Sequence, residues 1–72
     1  MVRGKLLELL KSKNTIEVIT NKGDFFYFKG TKEKLWRVND IYTGVELYSD
    51  NEFVDILIQR SKVGHFKIVD II

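Results

Sequence analysis

Seventy-two residues without an internal repeat leave room for one domain with one modest core, in the size range where stability is marginal and a partner subunit helps. With no Cys and a single His, the composition excludes a disulfide framework and a Cys/His zinc site. No apolar run approaches the roughly 20 residues of a bilayer span, and Leu6-Leu7-Glu8-Leu9-Leu10 is too short and too interrupted by Glu8 to read as a secretory signal, so a cytoplasmic protein with no membrane partner is expected.

The formal charge is +2, but the charges are segregated along the chain. Residues 1–13 carry Arg3, Lys5, Lys11 and Lys13 against Glu8, and residues 22–37 carry Lys22, Lys29, Lys32, Lys34 and Arg37 against Asp24 and Glu33. Residues 39–55 then hold Asp40, Glu46, Asp50, Glu52 and Asp55 with no Lys or Arg, before Arg60, Lys62 and Lys67 restore positive charge. Two readings fit this pattern: a basic face that meets a polyanion, or solubilising charge on exposed strands.

In chain order, Val2, Leu6, Leu9 and Leu10 stand at helical spacing with Lys5, Glu8 and Lys11 opposite, which predicts a short amphipathic helix over residues 1–13. Lys11 and Lys13 suit its negative end, and Asn14 can take the left-handed terminating conformation. The period changes at Thr15: Ile16 and Val18 alternate with Glu17, and Asn21-Lys22-Gly23-Asp24 marks a hairpin turn into the aromatic strand Phe25-Phe26-Tyr27-Phe28, with Gly30 as a bend. Leu35–Val38, Val45–Tyr48 and Phe53–Ile58 are further strand candidates, separated by Asn39-Asp40, Thr43-Gly44 and Ser49-Asp50-Asn51. The last stretch, His65–Ile72, offers apolar side chains to both faces, which favours pairing with a neighbouring subunit over a solvated edge. An all-β meander behind one helix is predicted.

A short N-terminal helix followed by five strongly bent strands is the order of elements in the Sm, Lsm and Hfq family, and the chain resembles that family in two short motifs. Asp40-Ile41-Tyr42-Thr43-Gly44-Val45-Glu46-Leu47 is similar to the first motif, in which an Asp is followed by an aromatic two places on and then by apolar strand residues. Ile58-Gln59-Arg60-Ser61-Lys62-Val63-Gly64-His65-Phe66 is similar to the frame of the second. Gly44 stands where Sm proteins usually carry a uracil-reading Asn, and Gln59-Arg60 looks closer to the Lys-His pair of Hfq than to the Arg-Gly of Sm proteins. The run from Gly23 through Gly30 to Asp40 is several residues longer than the family's.

The resemblance implies a single Sm-like domain over residues 1–72, with a five-stranded SH3-like barrel over residues 15–72 joined edge to edge through its terminal strands into a homo-oligomeric ring, hexamer or heptamer. It implies an RNA chaperone that holds single-stranded, uridine-rich RNA at an inner-rim pocket where the Asp40–Gly44 and Gln59–Ser61 loops meet. There Tyr42 would stack on a base, Gln59, Arg60 and Ser61 would hydrogen-bond to base, ribose or phosphate, and Asp40 would hold the loop. Arg3, Lys5 and Lys11 would add phosphate contacts if the helix lies across the ring. The residues also admit plainer roles: Tyr42 as a half-buried barrel aromatic, Arg60 as an ion-pair partner of Asp40 or Asp55, and Trp36, Phe25, Phe26 and Phe28 as core or interface residues.

Two other classes of function fit the composition. A basic strand face of Lys29, Lys32, Lys34, Trp36 and Arg37 could enter a groove of duplex DNA, and aromatics around Tyr27, Trp36 and Tyr42 could form an SH3-like protein-binding site. No enzyme, cofactor or metal is expected, because the sequence has no acid-base pair, nucleophile elbow, phosphate-cradling Gly loop or metal-ligand spacing, and His65 stands alone.

Overall fold

A computed structural model describes residues 3–40, 44–62, 64 and 66–72. Helix α1 (Arg3–Ser12) forms where the leucines recur at helical spacing: Leu6 and Leu10, one turn apart, are buried, while Lys5, Glu8 and Lys11 face water. Ser12 Oγ donates to the Leu9 carbonyl in the last turn, and the chain turns through Asn14 into strand β1 (Thr15–Thr20).

Strand β1 returns as β2 (Gly23–Lys29) through a two-residue turn, Asn21-Lys22. The turn holds because Gly23 absorbs a φ of 130°, a conformation L side chains rarely adopt. Thr20 Oγ1 donates to the Gly23 carbonyl at 2.7 Å and accepts the Lys22 amide at 3.1 Å. Strands β3 (Trp36–Asp40) and β4 (Gly44–Tyr48) continue the meander, and β5 (Ile68–Ile71) pairs with β1 after helix α2 (Asp50–Lys62). The spatial order is β4-β3-β2-β1-β5, with every neighbouring pair antiparallel.

Two expectations are corrected. The sheet is open, with β4 and β5 at opposite edges, so the chain is a five-stranded antiparallel sheet with two helices rather than a closed SH3-like barrel. The stretch Phe53–Ile58 is helical, within α2. Its Val, Ile and Leu side chains alternate in a way that suits a strand, but a capping box decides otherwise: the Ser49 amide donates to Glu52 Oε1 at 3.0 Å and the Glu52 amide to Ser49 Oγ at 3.3 Å. Asp50 and Glu52 in the first turn and Arg60 and Lys62 in the last complement the helix dipole. Phe53, Val54 and Leu57 then share one buried face.

The terminal strand stays with its own chain. Ile72 and Glu17 exchange both backbone hydrogen bonds, at 2.9 and 3.0 Å, and the register slips between Ile19 and Thr20. Its outer edge is blunted where Asp70 Oδ1 accepts the Ile71 amide at 2.8 Å.

Both helices cover the same face of the sheet. Leu6 and Leu10 of α1 and Phe53, Val54 and Leu57 of α2 pack on Ile16, Val18, Tyr27, Trp36 and Val38. Trp36 stacks on Phe53 with centroids 5.2 Å apart, and Tyr27 meets the same ring edge-on at 5.0 Å. One cation lies inside this layer. Lys29 Nζ donates to the Leu10 carbonyl at 2.7 Å, pairs with Asp50 Oδ1 at 3.0 Å and lies 5.1 Å from the Trp36 ring centroid. Asp50 Oδ1 also accepts the Trp36 indole N–H at 2.8 Å. The cluster ties the C-terminal turn of α1, strands β2 and β3 and the start of α2 together, and it satisfies a charge that burial alone would strongly disfavour.

Candidate functional site

The alternation of a strand sends successive side chains to opposite faces, so Tyr27 and Lys29 pointing inward leave Phe26 and Phe28 pointing outward. Among the described residues no element covers that outer face. Phe26 is 63% and Phe28 60% exposed, far above what isolated core aromatics show. The register sets their neighbours: Glu17 lies opposite Phe26, Thr15 and Arg37 flank Phe28, Leu47 lies beyond Arg37, and Val45 opposite Asn39. Val45, Leu47 and Ile72 are each about half exposed, which makes the face broadly apolar. Along its thinnest axis the molecule measures 17 Å, the depth of one sheet and one layer of helices.

Charge divides this face lengthwise. At the end bearing the β1–β2 turn and β5 stand Asp24 and Asp70, both partners of Ile19, with Glu17 next to them along β1. At the other end, Arg37 lies beside Phe28, exposed Lys32 and Lys34 lie in the loop that follows β2, and Lys13 precedes Thr15 by two residues. There Phe28, Gly30, Glu33 and Arg37 line a shallow depression of about 310 Å³. A larger groove, about 420 Å³, runs between α1 and β5 and is lined by Lys5, Leu6, Leu9 and Ile68–Ile71. It joins one cation and one carboxylate to aliphatic walls, whereas the open face joins aromatic rings to a basic end.

The residues expected to share an inner-rim pocket are dispersed. Asp40 and Gly44 are partners across the β3–β4 hairpin, and Tyr42 lies outside the described residues, as does His65. Gln59, Arg60 and Ser61 belong to the last turns of α2. Ser61 lines a depression with Ile58, Lys62 and Ile68, beside β5 at the sheet edge remote from β4. Arg60 is turned inward and hydrogen-bonds to Tyr27, opposing the rise in the Tyr27 hydroxyl pKa that burial causes. Arg3 is held in an exposed ion pair with Asp55 at 3.0 Å, and Lys5 and Lys11 are exposed on α1, behind the sheet from the open face.

The other two candidate surfaces are also altered. Lys29 and Trp36 are buried, at 8% and 0% exposure, and Tyr27 is buried with them, so the set proposed for a DNA groove keeps only Lys32, Lys34 and Arg37 at the surface. Sequence reasoning assigned Phe26 and Phe28 to structure. The available signal was an aromatic strand with side chains for both faces in a chain whose helices suffice to cover one. No helix among the described residues is long and apolar enough to cross a membrane. No family model, curated protein or solved structure matches the chain.

Proposed function

We propose that the chain is a binding module for single-stranded nucleic acid, RNA in the first instance, which it holds on the open face of the sheet without altering it chemically. The observation that carries this reading is the pair Phe26 and Phe28, exposed on one face of one strand beside Arg37. Residues two apart on a strand project their side chains about 7 Å from one another, so each ring can stack on a separate base, and such stacking is worth about 1–3 kcal/mol per base. Arg37 supplies a guanidinium for phosphate or for a base plane. Stacking tolerates any base, and the Sm-like resemblance makes uridine-rich strands the first ligand to try.

The test is a titration of labelled oligo-uridine by fluorescence anisotropy at low salt. Phe26→Ala and Phe28→Ala are each expected to weaken binding by about 1–3 kcal/mol, with the circular dichroism of the fold unchanged. Wild-type protein that binds no oligonucleotide, or variants that bind as it does, would remove the reading.

A second reading, self-assembly edge to edge, is favoured by the sheet edges at β4 and β5, which have no strand partner among the described residues and where Val45, Leu47 and Val69 are exposed. A ring of the Sm-like kind would join β4 of one copy to β5 of the next, and Asp70 would have to release the Ile71 amide. Light scattering behind size exclusion decides it: a mass several times that of one chain supports the ring, and a monomer removes it.

A further inference from the structure

Resting on the reading of the open face as a nucleic-acid surface, we propose that the β2–β3 loop is its phosphate-binding end, and that the Glu33 carboxylate occupies this end until a backbone phosphate displaces it.

The loop between β2 and β3 is held in one shape. The Gly30 amide donates to the Leu35 carbonyl at 3.0 Å, the Lys34 amide to the Gly30 carbonyl at 3.0 Å, and Lys34 takes a φ of 58°, in the left-handed region. That shape folds Glu33 back over Gly30: its carboxylate fills the space a Cβ on Gly30 would occupy. Glu33 is the one acidic residue in the run from Phe25 to Asn39, which otherwise carries Lys29, Lys32, Lys34 and Arg37. Its carboxylate thus sits in the depression walled by Phe28 and Arg37, with Lys32 and Lys34 on either side of it in the chain.

Arg37 on the wall and exposed Lys32 and Lys34 in the loop outnumber the one carboxylate, so this part-open corner favours an anion. A backbone phosphate likewise presents two anionic oxygens, which can accept both N–H groups of a guanidinium. Glu33 is exposed and on a flexible stem, so it can leave without disturbing the sheet. A strand whose base stacks on Phe28 would bring its phosphate to this corner, while Glu17, Asp24 and Asp70 repel phosphate at the other end. The bound stretch is therefore short and oriented from the loop toward the centre of the sheet.

The test uses the full chain and labelled deca-uridine, titrated over a range of salt concentrations. Lys32→Gln with Lys34→Gln should lower the slope of log affinity against log salt by about 1.4, at roughly 0.7 per phosphate contact on a single strand. Glu33→Gln should bind about fivefold tighter at low salt. An unchanged salt slope in the double variant, or Glu33→Gln binding no tighter than wild type, would overturn the inference. If Phe28→Ala still weakens binding in that case, the reading of the face survives it. Wild-type protein that binds no deca-uridine, or binds duplex more tightly, removes both.

Discussion

Strand β2 places a lysine in the interior and two phenylalanines in water within four residues, the reverse of the usual sorting between the two faces of a sheet. The helix-covered face holds Lys29 with Asp50 and the Trp36 indole in a satisfied polar cluster inside an otherwise apolar layer. The open face holds Phe26, Phe28, Val45 and Leu47 with no partner layer among the described residues. The difference separates two uses of side-chain chemistry. Polar groups inside, fully partnered, set which helix end meets which strand, whereas apolar rings left outside contribute little to folding and remain available to a ligand.

The sharpest way to test that division is to truncate one aromatic from each side. Phe53→Ala, which empties the space between Trp36 and Tyr27, is expected to cost about 3–5 kcal/mol, enough to abolish cooperative thermal unfolding in a domain this small. Phe26→Ala should leave the transition within about 0.5 kcal/mol of wild type. Equal effects would mean that the open face is covered in solution.

Next in size is the buried cluster. Lys29→Met leaves Asp50 without its cation and the Leu10 carbonyl without its donor, for an expected loss of about 3 kcal/mol in urea unfolding. A neutral outcome would show that the cluster does not hold the helices to the sheet.

Ser49→Ala removes the hydroxyl half of the α2 capping box and should destabilise by about 1 kcal/mol. The same cap gives a pH signature. Hydrogen bonds from the Ser49 amide, then its hydroxyl, hold the Glu52 carboxyl below its ordinary pKa. A depressed folded pKa means that the stabilisation is fully present above the ordinary carboxylate value and is lost as pH falls through the lowered one. Glu52→Gln should therefore be less stable than wild type at neutral pH and converge with it in acid, in urea midpoints measured across that range. Arg3→Ala, which breaks only an exposed ion pair, should move stability by no more than about 0.5 kcal/mol.

Much of the secondary structure was legible. The leucine spacing marks α1, Asn21-Lys22-Gly23 marks the β1–β2 turn, and the strands around Val38, Leu47 and Ile68 fall in segments read as strands. Helix α2 was misread because Val54, Ile56 and Ile58 satisfy a period of two while Phe53, Val54 and Leu57 satisfy 3.6. The Ser49-Asp50-Asn51-Glu52 cap was the deciding sign. That misreading carried Gln59, Arg60 and Ser61 onto a supposed loop. The basic residues of the candidate site were noticed, yet Phe26 and Phe28 were placed with the core, because hydrophobicity says that a ring prefers burial and not whether anything is there to bury it.

By itself the sequence determined the period of each strand, and hence that Tyr27 and Lys29 share one face and Phe26 and Phe28 the other, since alternation is a property of the backbone. Which face received the helices, whether the sheet closed, and which of the two ends of the open face became basic were decided only by the tertiary structure. Those outcomes depend on where α1 and α2 dock, and the docking is fixed by long-range contacts among Leu10, Lys29, Trp36, Asp50 and Phe53 that no local pattern encodes.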